Sequence, residues 1–436
     1  MAREAEVLEG RLSKGIGRFG YGMLSINSVI GAGIFGLPAV AAARAGDFSP
    51  WMFLLCGLLT MTIVVSFARA ASLVTTTGGI IEYSSRAFGP FVGFQTGWLA
   101  WLSRVAAVGA NTNLLVTYCA WFWAPLDSEP WRSITLVAVI GTLTWLNMVG
   151  LRKGMLTLYV LTVLKLLPLS LLILFGLGRV SAGDLFGATF PGTEGLGGTI
   201  LVLLYAYVGF EGTTVNAGEG RDPRRDLPRA LIQTVVLIGV IYFLVQVVCD
   251  ALLPDLATTT TPLADAAALL FGATGAAVLT LGAVFSIGGN LSSSILSAPR
   301  MTWALARDGS LPHWLAAVHD RWRTPHRSIA LYGVLCTVLA LSGGFIWLAT
   351  MSTLIRLICY LLCIAALPRL ARRAQAEGSA DAAFQLPGGM LIPALAFTLC
   401  LWLITQAAPK AWLLVAGFVA AGSVLYAWSR RTRRTT

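Results

Sequence analysis

Two long apolar segments of this chain are each interrupted near the middle by small, flexible residues. The first interruption, at residues 28–38, reads SVIGAGIFGLP, and the second, at residues 205–212, reads YAYVGFEG. Inside a bilayer, such a break frees backbone N–H and C=O groups that hydrocarbon cannot satisfy, so it persists only where it lines a cavity or binds a polar group. We therefore expect two broken membrane helices that face one polar cavity.

The composition places the rest of the chain in the membrane as well. Of the 436 residues, 56% are hydrophobic and 12% are charged, which excludes a soluble globular domain. A helix of about 20 apolar residues is long enough to cross the hydrocarbon core. We predict twelve such spans, near residues 19–43, 51–74, 90–122, 133–149, 155–178, 198–218, 230–253, 265–303, 328–343, 345–368, 386–408 and 410–428.

The distribution of Lys and Arg predicts the orientation of these spans, because short cytoplasmic loops collect positive charge. The connections that follow even-numbered spans contain Arg86, Arg152, Lys153, Arg221, Arg224, Arg225, Arg229, Arg321, Arg323, Arg327, Arg369, Arg372 and Arg373. The opposite connections hold only Arg44, Arg132, Arg179 and Lys410, mixed with acidic residues. We predict a multi-pass protein of the cell (inner) membrane with both termini cytoplasmic. This topology accounts for the net charge of +11 without a nucleic-acid partner.

The two breaks also predict the domain organisation. They fall in spans one and six, which indicates two five-helix repeats of inverted topology, and matching breaks in two halves are typical of a transporter's central binding site. The expected parts are a cytoplasmic tail (1–18), the two repeats (19–178 and 198–368), accessory helices 11 and 12 (386–428) and a basic cytoplasmic tail (429–436).

Other function classes find little support in the sequence. The seven cysteines lie in apolar spans without the spacing of a metal site, and we expect neither a metal nor a cofactor. The spans contain no His and no carboxylate pair, so we expect no enzyme. Nothing resembles the carbonyl or charged rings of a channel filter. The oligomeric state is not encoded in any pattern that we recognise.

Four ordered stretches resemble motifs of one family. They are residues 31–35 (GAGIF), residues 209–212 (GFEG) followed by 217–229, residues 297–312, and residues 78–79 followed by 87–94. Together these resemble the amino acid-polyamine-organocation (APC) superfamily of amino acid permeases, over roughly residues 18–368. The resemblance implies an all-α membrane protein of twelve transmembrane helices with a leucine-transporter-like 5+5 inverted repeat, in which helices 1 and 6 are broken.

A free amino acid is a zwitterion, so its site must offer donors to the carboxylate and acceptors to the ammonium. The outer half of the first broken helix presents amides near Gly31, Ala32 and Gly33, where the helix dipole also favours an anion. Carbonyls near Val29 and in the second break suit the ammonium, and the resemblance assigns these roles. The second break contributes Tyr205, Ala206, Tyr207 and Val208. The competing interpretation is that the small residues serve close helix packing.

The selectivity of the site is less clear from the residues. Span eight carries Asn290 and the serines Ser292, Ser293 and Ser294, while Tyr205 and Tyr207 are candidates for the roof of the pocket. These groups favour a neutral or modestly polar substrate. The serines serve helix packing equally well.

Ionisable residues inside apolar spans are costly and are functional candidates by default. They are Arg104, Lys165, Glu211 and Arg356. The resemblance implies that Lys165 occupies the cation site of sodium-coupled relatives. Burial lowers the pKa of a lysine side chain, which can bring it into the physiological pH range. We therefore expect proton coupling, with Lys165 either as a titrating carrier or as a fixed substitute for sodium. A purely structural lysine that bonds the unwound helix is the alternative.

Helical position brings Arg104, Glu211, Arg356 and Tyr360 together below the substrate. We predict that this charge network acts as an inner gate, and the alternative is static ion pairing that only neutralises buried charge. The excess of positive charge also leaves an acidic substrate open. The sequence thus predicts a secondary active amino acid transporter, driven by protons as a symporter, embedded in the lipid bilayer. An amino acid or amine exchanger, or a non-transporting amino acid sensor on the same fold, are the alternatives.

Overall fold

The computed structural model of the chain describes residues 15–150, 155–378, 383–386 and 388–432. Most of the predicted N-terminal tail, the loop residues Arg152 and Lys153, and the end of the basic tail from residue 433 lie outside these ranges. Within the described ranges the regular elements are helices. In addition, Ile16 and Gly220 form an isolated β-bridge.

Sixteen α-helices follow one another along the described residues, with short 3₁₀ turns between some of them. They are α1 Arg18–Val29, α2 Gly33–Ala45, α3 Ser49–Leu73, α4 Ile80–Phe88, α5 Pro90–Ala120, α6 Trp131–Met148, α7 Met155–Gly176, α8 Ala182–Phe186, α9 Leu196–Leu203, α10 Glu211–Thr214, α11 Pro223–Leu252, α12 Pro262–Arg307, α13 His326–Ser342, α14 Phe345–Ala376, α15 Leu391–Thr405 and α16 Pro409–Thr432.

Six helical stretches of the described chain are both long enough and apolar enough to cross a membrane. They are Gly33–Leu73, Thr162–Arg179, Pro223–Leu252, Pro262–Arg307, Phe345–Ala376 and Pro409–Arg430. Three shorter helical stretches are also apolar, namely Leu196–Ala206, His326–Ser342 and Leu391–Thr405. Large apolar side chains are exposed on the outer faces of many helices, for example Leu174, Val240 and Leu413. Such faces suit contact with lipid rather than water.

Two predicted spans differ from the helices that contain them. The eighth span, predicted at 265–303, lies inside α12, which is interrupted at Gly272, where φ is +66° and ψ is −162°. The tenth, predicted to end at residue 368, continues as α14 to Ala376. The apolar stretch ends near residue 368, but a helix satisfies its own backbone hydrogen bonds and continues into polar surroundings. There, Arg369 stacks over the ring of Phe88, 4.9 Å from its centroid.

The first break separates α1 from α2. Helix α1 ends at Val29, Ile30 is extended (φ −73°, ψ 94°), and α2 begins at Gly33. The first amides of a helix have no acceptor earlier in the same helix, so this start offers free N–H groups. Helices α1 and α2 therefore form one discontinuous segment.

The second break separates α9 from α10. A 3₁₀ turn, Leu204–Ala206, follows α9, and residues 207–210 belong to no helix before α10 begins at Glu211. Gly209 has φ +120°, a conformation that side-chain-bearing residues rarely adopt.

The two breaks touch each other directly. A Cβ atom on Gly209 would lie 2.6 Å from the carbonyl oxygen of Ser28, and a Cβ atom on Gly33 would lie 2.6 Å from the Cα atom of Ala206. Glycine is therefore required at both positions for the backbones to approach. These glycines allow the helices to pack closely, and they also leave backbone groups exposed at the breaks. The packing interpretation and the binding interpretation of the glycines are therefore compatible.

Long helices enclose the breaks. Helix α5 packs against α12 and α14, α11 packs along α3, and α7 packs against α12. The main cluster of buried apolar side chains includes residues of α3, α5, α11 and α14 together with both breaks. The breaks are thus held at the centre of the helix bundle.

Candidate functional site

A cavity of about 520 Å³ lies at the two breaks. Its walls come from both breaks, from α5, from α12, from the turn at residues 78–81 and from Arg356 of α14. The lining extends to Asp308, whose side chain is 61% exposed, so the cavity reaches solvent at that end. Asp308 follows α12 on the side that the charge distribution predicts to be cytoplasmic.

The opposite end of the cavity is closed by aromatic side chains. The rings of Tyr205 and Phe345 meet edge to face, with centroids 5.9 Å apart. Above them, the Tyr118 hydroxyl donates to the Phe35 carbonyl at 2.8 Å, and the two rings also pack edge to face. The structure is therefore open on one side of the breaks and sealed on the other.

The first break contributes polar backbone to the cavity wall. Val29, Gly31, Ala32 and Gly33 all line the cavity. Ser286 of α12 donates weakly toward the Gly31 carbonyl at 3.4 Å. The start of α2 thus presents amides to a space that is wide enough for a small molecule.

Lys165 contacts the same break on the side that faces away from the cavity. Its side chain is completely buried, and its Nζ donates to the carbonyls of Ile30 at 2.8 Å and Asn27 at 3.4 Å. These are carbonyls freed by the end of α1. Lys165 does not line the cavity, so an ammonium group occupies the outer side of the break rather than the substrate space.

The second break contributes only part of the predicted set. Tyr205 and Val208 line the cavity. Ala206 lies against Gly33 instead, and the Tyr207 hydroxyl donates to the Phe53 carbonyl at 2.7 Å, on the side away from the cavity. Tyr207 therefore does not roof the pocket, because the irregular backbone turns consecutive tyrosines in different directions.

A chain of polar side chains crosses the closed end of the cavity. The Tyr205 hydroxyl donates to Asn111 Oδ1 at 2.5 Å, and Asn111 Nδ2 donates to Asn290 Oδ1 at 3.0 Å. Asn290 Nδ2 then donates to the Ser28 carbonyl at 3.3 Å. The sequence reasoning missed Asn111, although an asparagine inside an apolar span is a recognisable signal.

Two of the three predicted serines lie at the cavity. Ser293 and Ser294 line it together with Asn290 and Ser297, and the spacings of three and four residues place these side chains on one side of the helix. Ser292 lies off that face and does not line the cavity. A run of serines on a helix spreads over several faces, which the sequence pattern alone did not resolve.

Glu211 is the centre of a buried charged cluster. Its Oε1 accepts from Arg356 Nη1 at 2.5 Å, and its Oε2 accepts from the Tyr360 hydroxyl at 2.7 Å and from the Gly209 amide at 3.0 Å. Only 8% of the Glu211 side chain and 10% of the Arg356 side chain are exposed. A buried ion pair persists only with such additional hydrogen bonds, since each charge has lost its water.

Arg104 of α5 lies near this cluster but outside the ion pair. It lines the cavity, and its Nη1 donates to Ser297 Oγ at 3.2 Å. A Cβ on Gly212 would lie 3.6 Å from Arg104 Nη2 and 3.2 Å from Ser28 Oγ, so the guanidinium lies beside the first break. Of the four ionisable residues predicted inside spans, Arg104, Glu211 and Arg356 thus line the cavity, and Lys165 lies behind it.

No group of three or more His, Cys, Asp or Glu side chains suited to a metal ion occurs among the described residues. The donors around the cavity are instead amides, hydroxyls and arginines, which suit an organic ligand with anionic and polar groups.

Comparison of the whole sequence with known proteins identifies related transporters. The family model described as amino acid permease matches residues 16–428. Over 402 residues, the chain is 29% identical to the serine/threonine exchanger SteT of Bacillus subtilis (strain 168), covering 88% of this chain and 89% of the relative.

Two further relatives are also transporters by name. The chain is 25% identical to the methylthioribose transporter of Bacillus subtilis (strain 168), with 95% of this chain and 93% of the relative covered. It is 30% identical to an uncharacterized transporter of Mycobacterium tuberculosis (strain ATCC 25618 / H37Rv), with 82% and 80% covered. The chain therefore belongs to the amino acid permease family of the APC superfamily, a family of multi-pass membrane transporters.

Proposed function

We propose that this protein is a secondary active transporter that moves an amino acid across the cell membrane by alternating access. The observation that carries the proposal is the pair of broken helices, which meet at a cavity of about 520 Å³ that is open on one side and sealed on the other. Broken helices at the centre of a bundle are the recurring means by which transporters bind small charged substrates.

The cavity walls support an amino acid zwitterion as the cargo. The amides at Gly31, Ala32 and Gly33 face the carboxylate, since the start of a helix favours an anion. The ammonium is bound by carbonyls of Val29, Tyr205 and Val208. Among the predicted site residues, Ala206 and Tyr207 support the break without touching the substrate.

We further propose that the chain forms twelve membrane spans. Helices α1 and α2 form the first, α9 and α10 form the sixth, and α3, α5, α6, α7 and α11–α16 supply the others. On this proposal residues 19–178 and 198–368 are inverted five-helix repeats, residues 386–428 are accessory helices, and both termini are cytoplasmic. The open end of the cavity then faces the cytoplasm.

Lys165 supports a proton-coupled symport mechanism. Its Nζ bonds the Ile30 and Asn27 carbonyls, where a bound cation would otherwise neutralise the freed acceptors. If the lysine releases its proton when the first broken helix moves, transport is coupled to protons. If it stays charged, it replaces sodium permanently and the gradient of the substrate supplies the driving force.

The cluster of Glu211, Arg356 and Tyr360 is proposed as the inner gate. It joins the second break to α14, and Arg104 reaches toward it from α5. Because Glu211, Arg356 and Tyr360 already touch in this open conformation, closing the cytoplasmic side requires Arg104 of α5 to move toward them.

Exchange is the second candidate, and one comparison favours it. The relative SteT is named a serine/threonine exchanger, and it matches 88% of this chain. An exchanger would use the same site, but it would change between its two conformations only with a substrate bound. A non-transporting sensor would bind an amino acid without flux.

The deciding experiment measures uptake of labelled amino acids into proteoliposomes, with or without an inward proton gradient and with or without internal amino acid. Accumulation from empty vesicles that depends on the gradient supports a symporter. Uptake only into preloaded vesicles supports an exchanger, and binding without uptake supports a sensor. No binding or uptake of any amino acid contradicts the proposal.

The same assay tests Lys165. In Lys165→Ala, gradient-driven accumulation is expected to disappear while exchange between equal amino acid concentrations persists. Gradient-driven accumulation that continues in this variant rules out the carrier role.

A further inference from the structure

Arg104 brings a second guanidinium to the cavity, near the carboxylate of Glu211, which is already ion-paired with Arg356. The Arg104 guanidinium donates to the neutral Ser297 hydroxyl, and within the described part of the chain it forms no ion pair. A carboxylate or a charged ligand usually accompanies a cation held in a bundle of apolar helices, because its hydration is largely lost.

The acidic residues of the cavity are already engaged. Both oxygens of Glu211 accept hydrogen bonds from Arg356, Tyr360 and the Gly209 amide. Asp308, at the open end, pairs with Arg307 at 3.2 Å. Glu211 therefore supplies one negative charge against the two guanidinium groups of Arg356 and Arg104, and its ion pair is with Arg356.

Arg104 is also well placed with respect to the substrate. It lies beside Ser28, at the edge of the first break, and Ala107, about one helix turn further along α5, lines the wall between Arg104 and Asn111. A molecule whose backbone binds at Gly31–Gly33 therefore extends its side chain over a small, apolar stretch of wall toward the guanidinium.

We propose that the substrate carries a second acid group, so that the cargo is an amino acid with a side-chain carboxylate. The guanidinium of Arg104 binds this carboxylate through two parallel hydrogen bonds, a geometry that Arg presents and Lys does not. Ser297 accepts a hydrogen bond from Arg104 and so fixes the orientation of the guanidinium. This inference rests on the proposed transport function and replaces the expectation of a neutral side chain.

The first test is competition in the wild-type protein. Proteoliposomes are given labelled glutamate in one series and labelled serine or glutamine in another, with unlabelled glutamate, aspartate, glutamine, asparagine, serine and threonine as competitors in both. The acidic amino acids are expected to compete at least roughly tenfold better than their amides, since a hydrogen-bonded charge contributes about 1.5–3 kcal/mol. Uptake of serine or glutamine that glutamate does not inhibit overturns this inference and leaves amino acid transport intact. Failure to transport any amino acid overturns both.

The second test assigns the effect to Arg104. In Arg104→Gln, the KM for the acidic amino acid is expected to rise about ten- to hundredfold, while the KM for its amide changes by less than about threefold. Arg104→Lys keeps the positive charge but cannot form two parallel hydrogen bonds, so its KM for the acidic amino acid is expected to lie between those of the wild type and Arg104→Gln. Ser292→Ala, off the cavity, serves as the matched control. Equal changes for acid and amide in Arg104→Gln contradict the assignment, and the wild-type competition decides the substrate class even if that variant does not fold.

Discussion

At the scale of single residues, Glu211 forms a buried ion pair with Arg356 at the cavity wall, and Arg104 lines the same cavity outside this pair. All three side chains were predicted to lie near one another. Their proximity followed from helical position alone. Tyr207 and Ser292 were less predictable, because the direction of a side chain depends on the irregular backbone at a break or on the rotation of a helix.

Removing the cation of the buried pair tests the proposed gate. Arg356→Gln leaves Glu211 buried with Tyr360 and the Gly209 amide but without its guanidinium, and breaking a buried pair in this way costs about 3–5 kcal/mol. We expect transport to fall at least several-fold and its pH profile to change, as measured by proteoliposome uptake between pH 5 and 8.

Tyr360→Phe is the matched control for this variant. It removes one hydrogen bond to Glu211 and keeps the ion pair, so we expect a smaller loss of uptake and a pH profile close to that of the wild type. Unchanged uptake and an unchanged pH profile in Arg356→Gln would reduce the cluster to static ion pairing.

At the scale of helices, the breaks were the most predictable elements and the helix ends the least. Glycine-rich interruptions in apolar segments correctly indicated where α1 and α9 end. The end of α14 at Ala376 was not predictable from hydropathy, because its last turns are polar and still helical. The kink at Gly272 was not predicted, because the apolar sequence continues through it without interruption.

The contact between the breaks predicts a graded effect of alanine substitution. Gly209→Ala combines a positive φ with a clash against the Ser28 carbonyl, whereas Gly272→Ala has a positive φ in open space. The backbone strain alone costs about 1–3 kcal/mol. We expect Gly209→Ala to lower the midpoint of thermal unfolding in detergent more than Gly272→Ala does.

Gly288→Ala completes the series, because nothing lies within 4 Å of its added Cβ and its φ is not positive. We expect its unfolding midpoint to equal or exceed that of the wild type, since alanine favours a helix over glycine. A Gly209→Ala protein as stable as Gly288→Ala would mean that the breaks do not touch as described.

At the scale of the whole molecule, the described helices surround a cavity that is open at one end. The arginines of the sequence predict the orientation of that end, but they do not predict which side is open, because the proposed alternating access would give one sequence two conformations. In the described conformation, the rings of Tyr205 and Phe345 meet on the side away from the opening.

Accessibility to a membrane-impermeant maleimide tests this conformation. Ser293→Cys lines the cavity, so we expect it to react faster in inside-out vesicles than in intact cells. Ser292→Cys, one residue away and off the cavity, is expected to react slowly from both sides. The wild-type protein gives the background of its seven cysteines, six of which are buried. Faster labelling of Ser293→Cys from outside would contradict the proposed orientation.

The joint between the two breaks is built from backbone, since Gly209 approaches a carbonyl oxygen and Gly33 approaches a Cα atom. On the proposed function, such a joint contacts the carboxylate and ammonium groups that all amino acids share, and the surrounding walls contact the side chain. Those walls, on α5 and α12, are free to diverge. On the same proposal, substitutions on these walls would change which side chain is accepted, while the joint between the breaks is kept.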